Sequence, residues 1–300
     1  MTLKFKGIIA YPITPFTADE RIDGIALKKS IDRLIAHGVH AIAPLGSTGE
    51  SAYLSDAEWD ETADISIRQV EKRVPVVVGI SDLTTRNAVR RAQFAERAGA
   101  DAVMVLPISY WKLSEQEIFK HYATIAKSIG IPIMVYNNPA TSGVDMKPGF
   151  ISSLVKDIDN VTMVKESSGD IQRMHQLYSL SGGEIPFYNG SNPLALEAFG
   201  AGAVGWCTAA PNLIPELTRR LYEATQKGDL VLARELFYRQ LPVLDFILKG
   251  GLPTTVKGGL KLQGFAVGEP RMPLLPLSDD QAFILSSLLA SLEDSIHAAA

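Results

Sequence analysis

The sequence predicts an α/β protein whose first 225 residues form a closed (β/α)8 barrel, the TIM barrel. Short runs rich in apolar and β-branched residues alternate with longer segments of helical periodicity. The short runs are apolar throughout, which is typical of parallel strands buried on both faces. Eight of them occur between residues 7 and 208. Eight such units favour a closed barrel over an open doubly wound sheet, which is the alternative architecture.

The predicted strands follow one another at intervals that leave room for one helix each. They span residues 7–13, 41–46, 74–80, 101–107, 131–137, 161–166, 185–190 and 203–208. Helical patterns cover residues 26–38, 55–73, 84–100 and 114–130. Ser55 and Glu58 have the spacing of a capping box, and Gly38 is a candidate C-cap.

Three further helical stretches follow the eighth strand, at 212–227, 229–249 and 278–296. No linker-like or low-complexity segment separates them from the barrel. We therefore expect two units, a catalytic barrel at residues 1–225 and a C-terminal helical extension packed on it at residues 226–300.

The composition is that of a soluble globular protein, with 46% hydrophobic and 21% charged residues. A net charge of −4 gives no reason to expect nucleic acid or an anionic membrane as a partner. The longest uncharged window, 198–215, contains glycines and prolines that argue against a membrane span. The apolar run before Pro12 is too short for a secretion signal. Cys207 stands alone, which fits a reducing cytoplasm.

Polar residues gather where the predicted strands end. These segments are "GSTGES" (46–51), "PISYW" (107–111), "YNNPATSG" (136–143), "KESSGD" (165–170) and "NGSN" (189–192). In a (β/α)8 barrel the active site lies at the carboxyl ends of the strands and in the loops after them. We therefore expect these segments to meet at one end of the barrel.

Lys165 ends the apolar run 161–164 and is the first catalytic candidate. A lysine amine is nucleophilic only when neutral, and an apolar barrel mouth disfavours the ammonium form. Such an amine can attack a carbonyl and form a Schiff base, which then serves as an electron sink. The alternative is a solvated structural lysine at the end of a strand.

Tyr136 ends the strand before Lys165. Adjacent strands lie about 4.8 Å apart, so the two side chains can face one another. A phenol held near the reacting atom is a competent proton shuttle. The alternative is a core tyrosine whose hydroxyl is hydrogen-bonded at the rim.

The segment "GSTGE" places two hydroxyls, those of Ser47 and Thr48, between Gly46 and Gly49. Glycines allow backbone N–H groups to point inward, and such a nest suits a small carboxylate. The alternative is an ordinary turn rich in glycine and serine. Glu50 is expected to cap this loop locally.

Three segments together resemble the signature of a known family. "GSTGE" after the second strand, "YNNPATSG" after the fifth and "VKESSGD" after the sixth are similar to motifs of the dihydrodipicolinate synthase / N-acetylneuraminate lyase family. Their order and spacing also fit, over roughly residues 5–290. The resemblance implies a class I lyase that forms a Schiff base with pyruvate or another 2-oxo acid. It also implies a homotetramer built as a pair of tight dimers.

The matching positions imply a role for each motif residue. Lys165 would be the Schiff-base lysine and Tyr136 the proton-relay tyrosine. Ser47 and Thr48 would hold the carboxylate of the 2-oxo acid, with Ser47 also in the relay. Tyr110 matches the tyrosine that reaches into a neighbouring subunit's site in this family. The other candidate substrate-binding residues are Gly46, Thr141, Gly190, Ser191, Asn192 and Cys207.

Two departures from the family pattern concern the substrate. The lysine-biosynthetic enzyme carries an arginine for its aldehyde substrate where this chain has Thr141, and threonine cannot make bidentate carboxylate contacts. The sialic-acid lyases carry acidic residues where Ser191 and Asn192 stand. Both substrates are therefore disfavoured.

The chemistries that remain open are aldol cleavage or dehydration of 2-keto-3-deoxy sugar acids, deamination of a cyclic hydroxy-imino acid, and other pyruvate aldol reactions. No metal or organic cofactor is needed for any of them, because the iminium supplies the electron sink. The alternative from another class is a protein that binds a 2-oxo acid without turnover.

Overall fold

The computed structural model of the chain describes residues 6–297, with side chains up to residue 292. It contains one parallel sheet with the order β2-β1-β8-β7-β6-β5-β4-β3. A parallel bridge between Ile42 and Val76 joins β2 to the residue before β3 and brings the sheet edges together. The strands are β1 (Gly7–Ala10), β2 (Ala41–Ile42), β3 (Val77–Gly79), β4 (Ala102–Val105), β5 (Ile133–Asn137), β6 (Val161–Glu166), β7 (Phe187–Asn189) and β8 (Gly205–Thr208). The predicted (β/α)8 barrel is confirmed, and the doubly wound alternative is wrong.

Helices separate the strands and continue beyond the eighth. They are α1 (Gly24–Ala36), α2 (Asp56–Val70), α3 (Thr85–Ala98), α4 (Glu115–Ala126), α5 (Pro139–Ser142), α6 (Pro148–Asp157), α7 (Ile171–Ser181), α8 (Ala195–Gly200), α9 (Pro215–Gln226), α10 (Leu230–Lys249), α11 (Leu252–Leu262) and α12 (Asp279–His297). Among the described residues, no helix is long and apolar enough to cross a membrane.

The predicted helix ends are partly correct. The capping box is confirmed, because Ser55 Oγ accepts the Glu58 N–H and the Glu58 carboxylate accepts the Ser55 N–H. The predicted end of α2 at residue 73 is wrong, since Glu71 adopts a left-handed φ of 50° and stops the helix at Val70. Gly38 is not the C-cap itself, which is His37, but follows it with a φ of 78°.

The C-terminal extension contains one helix that the sequence did not predict. The helix α11 includes Gly258 and Gly259, and a glycine pair lowers helix propensity. A Cβ at Gly258 would lie 2.3 Å from Leu277 Cδ1, and one at Gly259 would lie 2.7 Å from Leu213 Cδ2. Both glycines therefore allow close packing that a local pattern does not reveal.

Two layers of apolar side chains make up the core. The outer layer lies between the strands and the helices, and the inner layer fills the barrel. The inner layer contains Ile9, Tyr11, Ala41, Ala43, Val77, Ala102, Met104, Leu106, Met134, Tyr136, Met163, Tyr188 and Cys207. The division of the chain at residue 225 stays a prediction, and residues 1–5 and 298–300 of the two units lie outside the described part.

Candidate active site

Lys165 lies near the carboxyl end of β6, where its side chain is 5% exposed. The strand register pairs it directly with Tyr136 of β5. Its Nζ lies 3.8 Å from the centre of the Tyr136 ring and 4.0 Å from that of Tyr11. The predicted apposition of Lys165 and Tyr136 is confirmed, and a second aromatic face is present that the sequence did not indicate.

No carboxylate forms an ion pair with Lys165 among the described residues. Glu166, the next residue, points to the other side of the sheet, as alternation along a strand requires. There its carboxylate accepts hydrogen bonds from Asn137 Nδ2 at 3.0 Å and from the Ser168 N–H at 2.7 Å. Burial raises the pKa of Glu166. The amine of Lys165 therefore meets phenol groups rather than an anion.

The phenol oxygen of Tyr136 has three hydrogen-bond partners. Asn138 Nδ2 donates to its oxygen at 2.9 Å, and further hydrogen bonds link it to Lys165 and Ser47. Burial alone raises the pKa of Tyr136. The charge of Lys165 and these hydrogen bonds outweigh burial, so that the pKa lies below its usual value. A phenol in this state can give up a proton and take it back, which suits a relay.

The loop after β2 brings its hydroxyls to the same place. A Cβ at Gly46 would lie 2.6 Å from the Tyr11 ring, so the loop packs directly on that ring. Ser47 is hydrogen-bonded to Tyr136. Within residues 6–297 the backbone N–H groups of Ser47 and Thr48 donate to no protein acceptor. The segment can therefore offer both hydroxyl and N–H donors to an anion.

Gly190 follows β7 and lies directly against the aliphatic part of the Lys165 side chain. A Cβ at Gly190 would lie 2.8 Å from Lys165 Cε and 1.7 Å from Ser167 Oγ. The Ser167 hydroxyl is buried and has no hydrogen-bond partner among the described residues. Sequence reasoning missed Ser167. Ser167 lies two residues after Lys165, and side chains two residues apart along a strand point to the same face, which was a usable signal.

The residues after Gly190 are fixed by their own neighbours. Asn189 Nδ2 donates to Ser191 O at 2.8 Å, and the Ser191 N–H donates to Asn189 Oδ1 at 3.0 Å. Asn192 Oδ1 accepts from Thr208 Oγ1 at 2.8 Å. These hydrogen bonds hold the turn, and the side-chain oxygen Oδ1 of Asn192 already has a partner. Thr141 lies on α5, at the same end of the barrel, where it is exposed.

Cys207 lies on β8 in the inner layer of the barrel, and its thiol is hydrogen-bonded to Tyr11. Burial raises the pKa of Cys207 to about 11, although Lys165 and the Tyr11 hydrogen bond oppose it. The thiol is therefore protonated at neutral pH. Whether Cys207 contacts substrate stays a prediction.

Tyr110 does not join these groups within one chain. Its side chain is 89% exposed, and its ring packs edge-on against Trp111 with the ring centres 5.9 Å apart. Among the described residues no three side chains of His, Cys, Asp or Glu come together as a metal-binding group.

Comparison with known proteins shows which family the chain is similar to. The model of the dihydrodipicolinate synthetase family matches residues 4–292. A 4-hydroxy-tetrahydrodipicolinate synthase from Bartonella bacilliformis is 36% identical over 284 residues, which cover 95% of this chain and 97% of that protein.

Two solved structures are also similar. A candidate dihydrodipicolinate synthetase from Pseudomonas aeruginosa has a TM-score of 0.95 and 62% identity, covering 96% of this chain and all of that one. YagE, a prophage protein of the same family from E. coli K12 in complex with pyruvate, has a TM-score of 0.91 and 28% identity over 96% of this chain and 99% of that one.

Proposed function

Because the chain belongs to the dihydrodipicolinate synthetase family, whose members are class I lyases, we propose that it forms a Schiff base between Lys165 and a 2-oxo acid. The observation that carries this proposal is the buried amine of Lys165, which faces two phenol rings and no carboxylate among the described residues. A relative of this family holds pyruvate in its structure.

In the proposed reaction the nitrogen lone pair of Lys165 adds to the C2 carbonyl carbon. The carbonyl oxygen takes up two protons, one from the amine and one from solvent, and leaves as water. The nitrogen keeps one hydrogen as a cationic iminium, which draws electrons from C3. Tyr136, hydrogen-bonded to Ser47, carries the protons. The iminium and its enamine then make or break a C–C bond, or expel a β-hydroxyl as water.

The carboxylate of the 2-oxo acid would bind to the loop after β2. The hydroxyls of Ser47 and Thr48 and their N–H groups offer several donors, and hydrogen bonds to a charged oxygen are stronger than neutral ones. Gly46 lets the loop lie against Tyr11 and hence close to Lys165.

We further propose a hydroxylated 2-oxo acid, such as a 2-keto-3-deoxy sugar acid, rather than the substrate of lysine biosynthesis. Thr141 has no guanidinium for a second carboxylate. The unpartnered Ser167 hydroxyl near Lys165 Cε favours a substrate that carries a hydroxyl of its own. Ser191 and Asn192 lie on the hydrogen-bonded turn after β7.

The test of the reaction is borohydride reduction in the presence of pyruvate, followed by peptide mass spectrometry. We expect a reduced adduct on the peptide that contains Lys165. A panel of hydroxylated 2-oxo acids then identifies the substrate by turnover. No adduct with any 2-oxo acid would overturn the proposal, and an adduct or thermal stabilisation without turnover would favour a binding protein.

We also infer a homo-oligomer built as a dimer of dimers, in the cytoplasm, in which Tyr110 of one chain completes a neighbour's site. The exposure of Tyr110 and Trp111 leaves both rings available to a second copy. We expect Tyr110→Phe to lower turnover about tenfold or more while the adduct on Lys165 still forms. Equal loss of turnover and adduct would contradict a relay role for Tyr110.

A further inference from the structure

The β2 loop, defined here as residues 45–50, has a backbone that its own residues do not favour. Leu45 and Glu50, at its two ends, adopt left-handed φ values of 62° and 56°. Residues other than glycine are strained at such values unless surrounding contacts hold them. Contacts from outside the loop must therefore fix both ends.

At the first end the contact is made by the barrel itself. A Cβ at Gly79 would lie 2.2 Å from Leu45 O, so only glycine allows β3 to approach the loop this closely. The Gly79 N–H also donates to Pro44 O at 3.0 Å. This end is therefore fixed by backbone contacts between β3 and the segment that follows β2.

At the other end the contact comes from the C-terminal extension. The Glu50 side chain is 1% exposed. Its Oε1 lies 2.5 Å from Lys257 Nζ of α11, and its Oε2 accepts the Arg271 N–H at 2.7 Å. Arg271 is 221 residues further along the chain. The expected local capping role of Glu50 is therefore wrong, because its carboxylate is taken up by the extension.

Lys257 is held as firmly as its partner. It is 1% exposed, donates to Glu269 O at 3.1 Å, and lies 4.0 Å from the centre of the Phe16 ring. Buried charges attract each other with little screening, and removing one leaves the other without compensation. The pair can thus fix the position of Glu50 more tightly than an exposed pair would.

The position of Glu50 is coupled through the backbone to the positions of the hydroxyl residues Ser47 and Thr48. The Glu50 N–H donates to Ser47 O at 3.2 Å. Thr14 Oγ1 donates to Gly49 O at 2.6 Å and so holds Gly49, which lies between Thr48 and Glu50. A shift of Glu50 would therefore move Ser47 and Thr48.

We propose that Lys257 and Glu50 are positioning residues for the carboxylate of the 2-oxo acid, so that the C-terminal extension is a working part of the active site. This inference rests on the proposed function, since Ser47 and Thr48 bind the carboxylate there. It goes beyond that function because neither residue touches the substrate.

The test measures the pyruvate concentration that gives half-maximal borohydride trapping of Lys165. In Lys257→Met we expect this concentration to rise about tenfold or more, because small displacements of positioning groups have large effects. The trapped fraction at saturating pyruvate should stay unchanged, since Lys165 and Tyr136 are untouched. A merely structural pair would not produce this split.

Lys261→Met is the matched control. Lys261 lies one turn further on α11 and pairs with Glu269 at 2.6 Å, but on the exposed surface. We expect its half-saturating concentration to change by less than about twofold, as exposed pairs contribute little. Thermal unfolding of each variant is measured in parallel.

Each outcome decides the matter. A folded Lys257→Met variant with an unchanged half-saturating concentration would overturn the inference alone. No trapping in the unchanged protein would overturn the proposed function and the inference with it. If Lys257→Met does not fold, the double variant E50Q/K257M, which leaves no uncompensated buried charge, is measured against the same criterion.

Discussion

Two lysines of the described chain are buried, one at the barrel mouth and one where the C-terminal helices meet the β2 loop. Lys165 faces the rings of Tyr136 and Tyr11. Lys257 also faces a ring, that of Phe16, but its Nζ lies 2.5 Å from the Glu50 carboxylate. The difference between the two sites is therefore the anion.

The anion determines what each amine can do. Burial lowers the pKa of Lys257, while Glu50 opposes that effect and stabilises the ammonium form. A lysine that is fixed in an ion pair is not available as a nucleophile. Burying a lysine without an anionic partner costs free energy. Such a lysine is a candidate for a chemical role rather than a stabilising one.

The largest expected effect is that of Lys165→Met. We expect trapping and turnover to be lost completely, because no other described amine is buried at the barrel mouth. The free energy of unfolding should not fall, since the substitution removes a buried charge without an anionic partner. Urea unfolding and borohydride trapping measure the two quantities. A clear loss of stability would mean that the Lys165 side chain stabilises the fold, as we expect of the buried pair of Lys257 and Glu50.

The next effect separates the two phenols beside Lys165. We expect Tyr136→Phe to lower turnover by roughly 10²–10⁴-fold, the usual range for loss of a proton-transfer group. Tyr11→Phe should change turnover much less, because its hydroxyl is bound to Met104 Sδ at 3.0 Å and to Cys207. Steady-state kinetics on the identified substrate checks both. Equal losses would show that Tyr11 also carries protons.

Lys257→Met should have the opposite signature to Lys165→Met. Breaking a buried pair by removing one partner destabilises a protein by about 3–5 kcal/mol. We expect the free energy of unfolding to fall by this order, while Lys261→Met changes it by less than about 1 kcal/mol. Equal effects of the two substitutions on urea unfolding would remove the distinction between the buried and the exposed pair.

The smallest effect is a pH dependence in the same region. The Arg271 guanidinium holds the pKa of Glu58 at about 2, below its usual 4.5, with burial opposing and Ser55 assisting. Between these values the unfolded chain binds a proton that the folded chain does not. Stability from this pair is therefore complete above pH 4.5 and is lost as the pH falls towards 2.

The variant Glu58→Gln tests this dependence. We expect the fall in unfolding free energy between pH 5 and pH 3 to be smaller in the variant by on the order of 1 kcal/mol, because the pair is partly exposed. The urea midpoint at several pH values is the measurement. Parallel pH profiles for the two proteins would assign the acid sensitivity to other carboxylates.

The sequence was sufficient for the features that depend on local patterns. Continuous apolar runs predicted the eight strands, and polar residues at their ends predicted that the segments after β2, β5, β6 and β7 lie close together. The pairing of Tyr136 with Lys165 followed from strand order alone. The predictions of helix ends were less accurate, because a residue other than glycine can adopt the left-handed conformation that ends a helix, as Glu71 does.

Several site residues lay beyond local patterns. In the sequence Tyr11 is indistinguishable from an ordinary core residue after β1. Only closure of the barrel brings its ring against the Lys165 amine. The helix α11 is hidden by Gly258 and Gly259, which packing against Leu277 and Leu213 requires. Tyr110 belongs to a matched motif, but its exposure within a single chain follows from the loop's geometry.

The sequence by itself determined the barrel and the apposition of Lys165 and Tyr136 on neighbouring strands, and it predicted the end of the barrel where we propose the chemistry, because strand periodicity and strand order are local properties of the chain. Only the tertiary structure decided which buried lysine has an anion. The pair of Glu50 and Lys257 joins segments far apart in the chain. No periodicity relates such distant residues, and only the closed fold brings their charges together.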